Sequence, residues 1–154
     1  MRIIRQLDGV SETFAQVDLH DWELLEVVVR FVSSTEESHS HEVLLRVSEP
    51  ATLEGTPQKQ YWIVFRHARG FRAEMDLVAK AFCGNAIWSS TPRPVAEDSD
   101  FVDKLDEDFR RLGPNPPDRT RLIDFPILLI VPGGSLEILA ETVEMTEITH
   151  SATP

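Results

Sequence analysis

A single cysteine, Cys83, is all the thiol chemistry this 154-residue chain carries. One cysteine closes no internal disulfide and builds no zinc cluster, so a reducing compartment is expected and the chain reads as cytoplasmic. Long apolar runs are also missing. The longest, residues 127–131, falls far short of the ~20 residues that a helix needs to cross a bilayer, and residues 1–8 lack the apolar stretch of a signal peptide. No glycine-rich phosphate loop is present: Gly133 and Gly134 read as a hairpin turn with no lysine following, so no nucleotide or other cofactor is expected. Cations are scarce. Fifteen Lys and Arg against 26 Asp and Glu leave a formal charge of -11, a field that repels phosphate backbones and anionic lipid heads. Neither nucleic acid nor a membrane surface is expected as a partner.

What is present is an ordinary globular mixture, 42% apolar and 27% charged, in a length typical of one domain. A single domain over 1–154 is expected, with residues 1–18 as a lead-in and 149–154 as a fraying tail. Residues 24–32, LLEVVVRFV, are rich in β-branched side chains and place Leu25, Val27, Val29 and Phe31 on one face of a strand. The polar run 33–41 predicts a hairpin loop into a second strand, 42–48, and Tyr61, Ile63 and Phe65 alternate in a third, 61–67. Residues 71–82 fit both periodicities, with a strand giving way to a helical turn as the preferred reading. A short strand is expected over 86–90. Phe101, Leu105, Phe109 and Leu112 recur at helical spacing over 98–112, with Ser99 as N-cap and Gly113-Pro114 as the stop. The run 121–131 reads as a buried strand in which Pro126 asks for an edge or a bulge. After the turn at 132–134 the last strand, 135–148, slips its apolar phase near Glu141 and Thr142, which predicts a bulge or bend. The fold class is therefore α+β: a mainly antiparallel, curved or barrel-like sheet with one or two helices.

Several constellations invite chemistry. His39 and His41 lie two apart, one geometry for metal ligands, but no third ligand stands at a recognised spacing; a solvated loop and no metal site is the reading adopted. His20 and Asp21 could form half of an acid-base relay to Cys83, against the plainer reading of a turn cap and a buried small hydrophobe. Two carboxylates suffice for glycosidase chemistry, and the sequence does not single out a pair. Arg66, His67, Arg69, Arg72 and Lys80 form the one basic region, beside Tyr61, Trp62, Phe65 and Phe71; neutralisation of nearby carboxylates is the preferred account of them. Glu97, Asp98, Asp100, Asp103, Asp106, Glu107 and Asp108 are interrupted by one cation, Lys104, and read either as a solvated helix face or as a docking surface for a basic protein.

Leu19-His20-Asp21-Trp22-Glu23-Leu24-Leu25 before a β-branched strand, with Pro132-Gly133-Gly134-Ser135-Leu136-Glu137-Ile138-Leu139-Ala140-Glu141 near the other end, resembles a family of small, uncharacterised bacterial β-rich proteins. Some members of that family are classed as immunity proteins of polymorphic toxin systems. The resemblance implies a β-rich fold, structural roles for His20 and Asp21 at the entry of the first strand, and no catalytic residue. The leading expectation is thus a non-enzymatic protein-binding module using the carboxylates of 97–108, as an inhibitor of a basic toxin. The alternatives are a small enzyme or ligand binder with a sheet pocket lined by Trp62, Arg66 and Trp88, and an oligomer subunit that pairs through an exposed strand edge.

Overall fold

Period-two alternation of β-branched and aromatic residues becomes nine strands in the computed structural model, which describes residues 9–33, 39–51, 57–77, 84–95, 99–112, 121–129 and 134–149. In chain order these are α1 (Glu12–Ala15), β1 (Glu23–Ser33), β2 (His39–Ser48), β3 (Gln60–Arg66), β4 (Gly70–Met75), β5 (Ile87–Ser90), β6 (Arg93–Pro94), α2 (Asp100–Leu112), β7 (Ile123–Leu129), β8 (Gly134–Ala140) and β9 (Thr142–Glu147). All strand pairings are antiparallel. The expected barrel-like sheet is corrected to two sheets, neither closed. One has the order β1-β2-β3-β9; the other has β4-β8-β7-β5, with β6 also on β7.

The physical reason for two sheets is visible in the slip near Glu141. β8 and β9 are separated by that residue alone, and β3 and β4 by residues 67–69, where His67 takes a positive φ of 50°. Arg66 pairs with Thr142 and Gly70 with Leu139, so three residues on one strand oppose two on the other. The extra residue turns the paired ribbon out of one sheet and into the other, the usual use of a bulge at a sheet corner. Arg69 donates its N–H to the Leu139 carbonyl at 2.8 Å, and Glu141 donates to that of Arg66 at 3.2 Å, which holds the corner.

Between the sheets lies one apolar core. Val43, Leu45, Val47, Ile63, Phe65 and Val143 meet Ile87, Ile123, Phe125, Ile127, Leu136 and Ile138, all buried. The Phe125 ring touches that of Phe65 at 5.1 Å and that of Phe14 at 5.6 Å. Phe14 belongs to α1, whose N-cap Ser11 accepts the Phe14 N–H at 3.3 Å. The described part of the lead-in is thus built into the core, with Val10 and Phe14 buried, as is Leu19 just after it. It also covers the free edge of β9: Val143 donates to the Gly9 carbonyl at 2.8 Å and Ser11 donates to that of Val143 at 3.0 Å. Gly9 has φ +86°, and a side chain there would strike the Glu141 carbonyl, so only glycine brings the segment this close.

On the outer face of the second sheet sits α2. Val102 donates its N–H to Ser99 Oγ at 3.3 Å and Asp103 donates to the Ser99 carbonyl at 2.9 Å, so Ser99 caps this helix. Val102 is buried, and Phe101 and Leu105 close over Gly70 and Leu139. A Cβ on Gly70 would stand 2.7 Å from Leu105 Cδ1 and 2.9 Å from Phe101 Cζ. Gly70→Ala is therefore expected to cost about 1–2 kcal/mol through overpacking, read as a lower urea midpoint with unchanged slope.

Other boundaries differ from the sequence reading for local reasons. β2 starts at His39 rather than 42 because Ser40 and His39 continue the register on Val32 and Ser33 of the long first strand. Residues 70–75 are strand, paired along β8. Pro126 lies on an interior strand, not an edge: β8 flanks one side, while on the other β5 ends opposite Ile127 and β6 begins opposite Asp124. A residue without an N–H is tolerated at that interruption. Val29 and Phe31, which the sequence places on one face of the strand, are 52% and 62% exposed. The expectations for the hairpin at 34–38, the stop at Gly113-Pro114, the turn residues 132 and 133 and the tail at 150–154 lie outside the described residues.

Candidate functional site

Neutralisation accounts for the described arginines of the sheets. Glu42, buried, receives Arg30 and Arg66 at 2.7 Å each, and Arg66 also meets Glu144. Arg46 meets Glu26 at 2.9 Å, Arg69 meets Glu141 at 3.7 Å, Arg72 meets Glu137 at 2.6 Å and Arg93 meets Asp124 at 2.9 Å. The basic region read from the sequence therefore dissolves into matched pairs at Arg66, Arg69 and Arg72; Lys80 lies outside the described residues.

Charge of the other sign gathers on α2. Asp100, Asp103 and Glu107 are exposed, and Asp106 and Asp108 are half-buried, the latter 3.2 Å from Arg111. Acids in the first turn suit the positive end of the helix dipole, as Arg110 and Arg111 suit the last. Glu97 and Asp98 lie outside the described residues.

Beside the start of α2 opens a cleft of about 380 Å³ lined by Arg72, Arg93, Ser99, Asp100, Phe101, Asp124 and Glu137. Its floor holds a carboxyl pair. Asp124 on β7 and Glu137 on β8 project from the outer sheet face, because the intervening Ile123, Phe125, Leu136 and Ile138 point into the core. The Arg72 guanidinium lies 4.6 Å above the Phe101 ring, fixing the cation between helix and sheet. Asp124 is 2% exposed, and burial above all, with the Glu137 carboxylate nearby, pushes its carboxyl up to about 6, against the pull of Arg93. Asp124 Oδ2 accepts from Arg93 Nε at 2.9 Å, its Oδ1 is buried without a hydrogen-bond partner among the described residues, and Glu137 is held by Arg72. The sequence held a signal for it: Asp124 is the only charge in the run IDFPILL.

The remaining candidates scatter. Trp62 and Arg66 lie on the outer face of the first sheet, in register with Arg46 and Thr142, whereas Trp88 lies on β5 of the second sheet. The Trp88 ring stands 5.2 Å from His20, edge to face. His20 Nδ1 donates to the Trp88 carbonyl at 2.6 Å, and Asp21, at φ 66°, donates its N–H to the Ile87 carbonyl at 2.9 Å. These bonds tie the entry of β1 to β5. The Trp88 carbonyl raises the His20 pKa most; partial desolvation works against it, and Asp21 and Asp18 add to the rise. The His41 ring meets Phe31 edge-on at 5.0 Å, while His39 opens β2. Cys83 lies outside the described residues. No helix among the described residues is long and apolar enough to cross a membrane.

Comparison with known proteins adds no assignment: no family model matches the chain, and no curated protein or solved structure matches it either.

Proposed function

We propose that this chain is a non-enzymatic protein-binding module that docks a basic partner on the outward carboxylates of α2. Its most concrete form is an immunity-type inhibitor that covers the cationic substrate groove of a toxin attacking nucleic acid. The observation that carries this reading is the placement of charge: the sheet arginines lie against strand carboxylates, while Asp100 and Glu107 present their carboxylates to solvent along one helix. A groove that binds phosphate presents cations, and a carboxylate-rich surface competes for them while accelerating encounter. The resemblance of residues 19–25 and 132–141 to a family that includes immunity proteins supports the same class.

The test uses the tagged full chain as bait in its host's lysate, as wild type and as Asp103→Lys/Glu107→Lys. Wild type is expected to retain one stoichiometric basic protein that raised salt releases. With that protein purified, the charge reversal should slow association about tenfold at low salt. Thermal stability should move by no more than ~3 °C, since both positions are exposed. Equal capture by both baits, or capture of nothing, overturns the proposal.

A further inference from the structure

The four sheet edges are not equally protected. β9 is covered by Gly9 and Ser11, and β5 is short, bulged between Ile87 and Ser89, and hydrogen-bonded to Trp22 and Leu24 through Ile87 and Asn85. β4 is six residues long and carries Arg72 and Glu74. β1 is the exception. Beyond the bridge at Glu23 and the bulge at Leu25, no strand among the described residues pairs with its outer edge; residues 26–32 contain no proline and no glycine, and the two charges, Glu26 and Arg30, are of opposite sign and can meet each other in a second copy. Natural edges are normally blunted by such devices.

From this edge we infer that the chain forms a two-fold dimer in which β1 pairs antiparallel with β1 of a second copy, centred on Val28. Two observations select that occupant and that register. First, centring on Val28 sets Glu26 opposite Arg30 of the other copy, and Arg30 opposite its Glu26. Within each chain Glu26 already pairs with Arg46 and Arg30 with Glu42 across β1 and β2. The dimer thus continues an alternating row: Arg46, Glu26, then Arg30 and Glu42 of the second copy. Centring on residue 26 or 30 would set like charges face to face, and centring on 27 or 29 would leave both charges opposite apolar or uncharged neighbours.

Second, the same register sets Phe31 of one copy opposite Leu25 of the other. There a groove of about 330 Å³ is lined by Leu24, Leu25, Val27, Met75 and Leu77, with Glu26 and Asn85 as its polar members, and Leu77 is 74% exposed. Phe31 is the exposed apolar projection at one end of the strand and the mainly apolar-lined groove lies at the other, so a two-fold axis seats each Phe31 in its partner's groove. Such an isologous contact is closed, giving a dimer and no longer array.

The test measures molar mass by light scattering after gel filtration across a wide concentration range, on the full chain. The wild type is expected to approach twice 17.5 kDa at the upper end. Val29→Lys/Phe31→Lys, both exposed positions, should stay monomeric with an unchanged far-ultraviolet circular dichroism spectrum. Glu26→Lys alone and Arg30→Glu alone should each weaken dimerisation about tenfold, because each creates two like-charge contacts. Mixing those two variants should restore it, because the introduced lysine of one copy then faces the introduced glutamate of the other, and the remaining Arg30 faces the remaining Glu26. A variant that merely misfolds gives no such recovery. A wild type that stays monomeric throughout, a dimer indifferent to Val29→Lys/Phe31→Lys, or single-charge variants that fail to recover on mixing each overturn the proposal.

Discussion

Asp124→Asn is expected to make the protein more stable at pH 7, by about 1–2 kcal/mol, although it removes one partner of a buried ion pair. Asp124 sits above its ordinary value in the folded state, near 6 against 3.8, because burial and Glu137 disfavour its charged form more than Arg93 favours it. Between these two values the folded chain binds a proton that the unfolded chain has lost, so stability falls as pH rises from about 4 to about 6 and levels off above. At 1.36 kcal/mol per pKa unit, the penalty at neutral pH is about 2–3 kcal/mol. Asparagine keeps an acceptor for Arg93 and has no charge to desolvate, so most of that penalty is relieved while part of the charge-assisted bond to Arg93 is lost. Urea unfolding at pH 5 and pH 7 checks the argument. The wild type should gain stability on acidification relative to the variant, and parallel pH profiles would remove Asp124 as the cause. The raised pKa of His20 acts in the same direction, since its contribution is complete below the unfolded value and fades as pH rises through the folded one.

Phe125→Ala should bring the largest loss, about 3–5 kcal/mol out of a total of roughly 5–15. Its ring is fully buried and joins three elements, meeting Phe65 of the facing sheet and Phe14 of α1. At ~2–4 °C per kcal/mol for a chain of this size, the melting temperature should drop by roughly 6–20 °C. Leu128→Ala on the same strand is the control. Leu128 faces outward and is half exposed, so its truncation should cost well under 2 kcal/mol. Melting curves that place the two variants together would contradict a core shared between both sheets.

The elements that were legible in the sequence are those whose pattern is local. Alternation marked β1 and β3, a continuous apolar run marked β7, Ser99 marked the start of α2, and the phase slip at Glu141 marked the corner. What escaped was set by partners distant along the chain. Whether Val29 and Phe31 are covered depends on how far the opposing sheet extends, which their alternation does not encode. The interior place of Pro126 follows from a gap between β5 and β6, two strands from elsewhere in the sequence. The carboxyl pair is half-legible: Asp124 stands out within its apolar run, but Glu137 becomes its neighbour only through the β7–β8 register. The acids of α2 follow from helical spacing, whereas the arginine–carboxylate pairs of the sheets required the three-dimensional register.

The ribbon made by β3 and β4 with β9 and β8 passes through both sheets, and its two halves are separated by a long stretch of chain. Neither sheet is complete without the segment from Gly134 to Glu147: the first would lose its β9 edge and the second the strand that links β4 to β7. During synthesis the earlier strands must therefore wait, with apolar faces uncovered, until that last ribbon has been made. Long loop closures of this kind slow folding and favour all-or-none assembly. The period before the ribbon closes is when the chain is most exposed to aggregation, and the open edge of β1 would be its most adhesive surface.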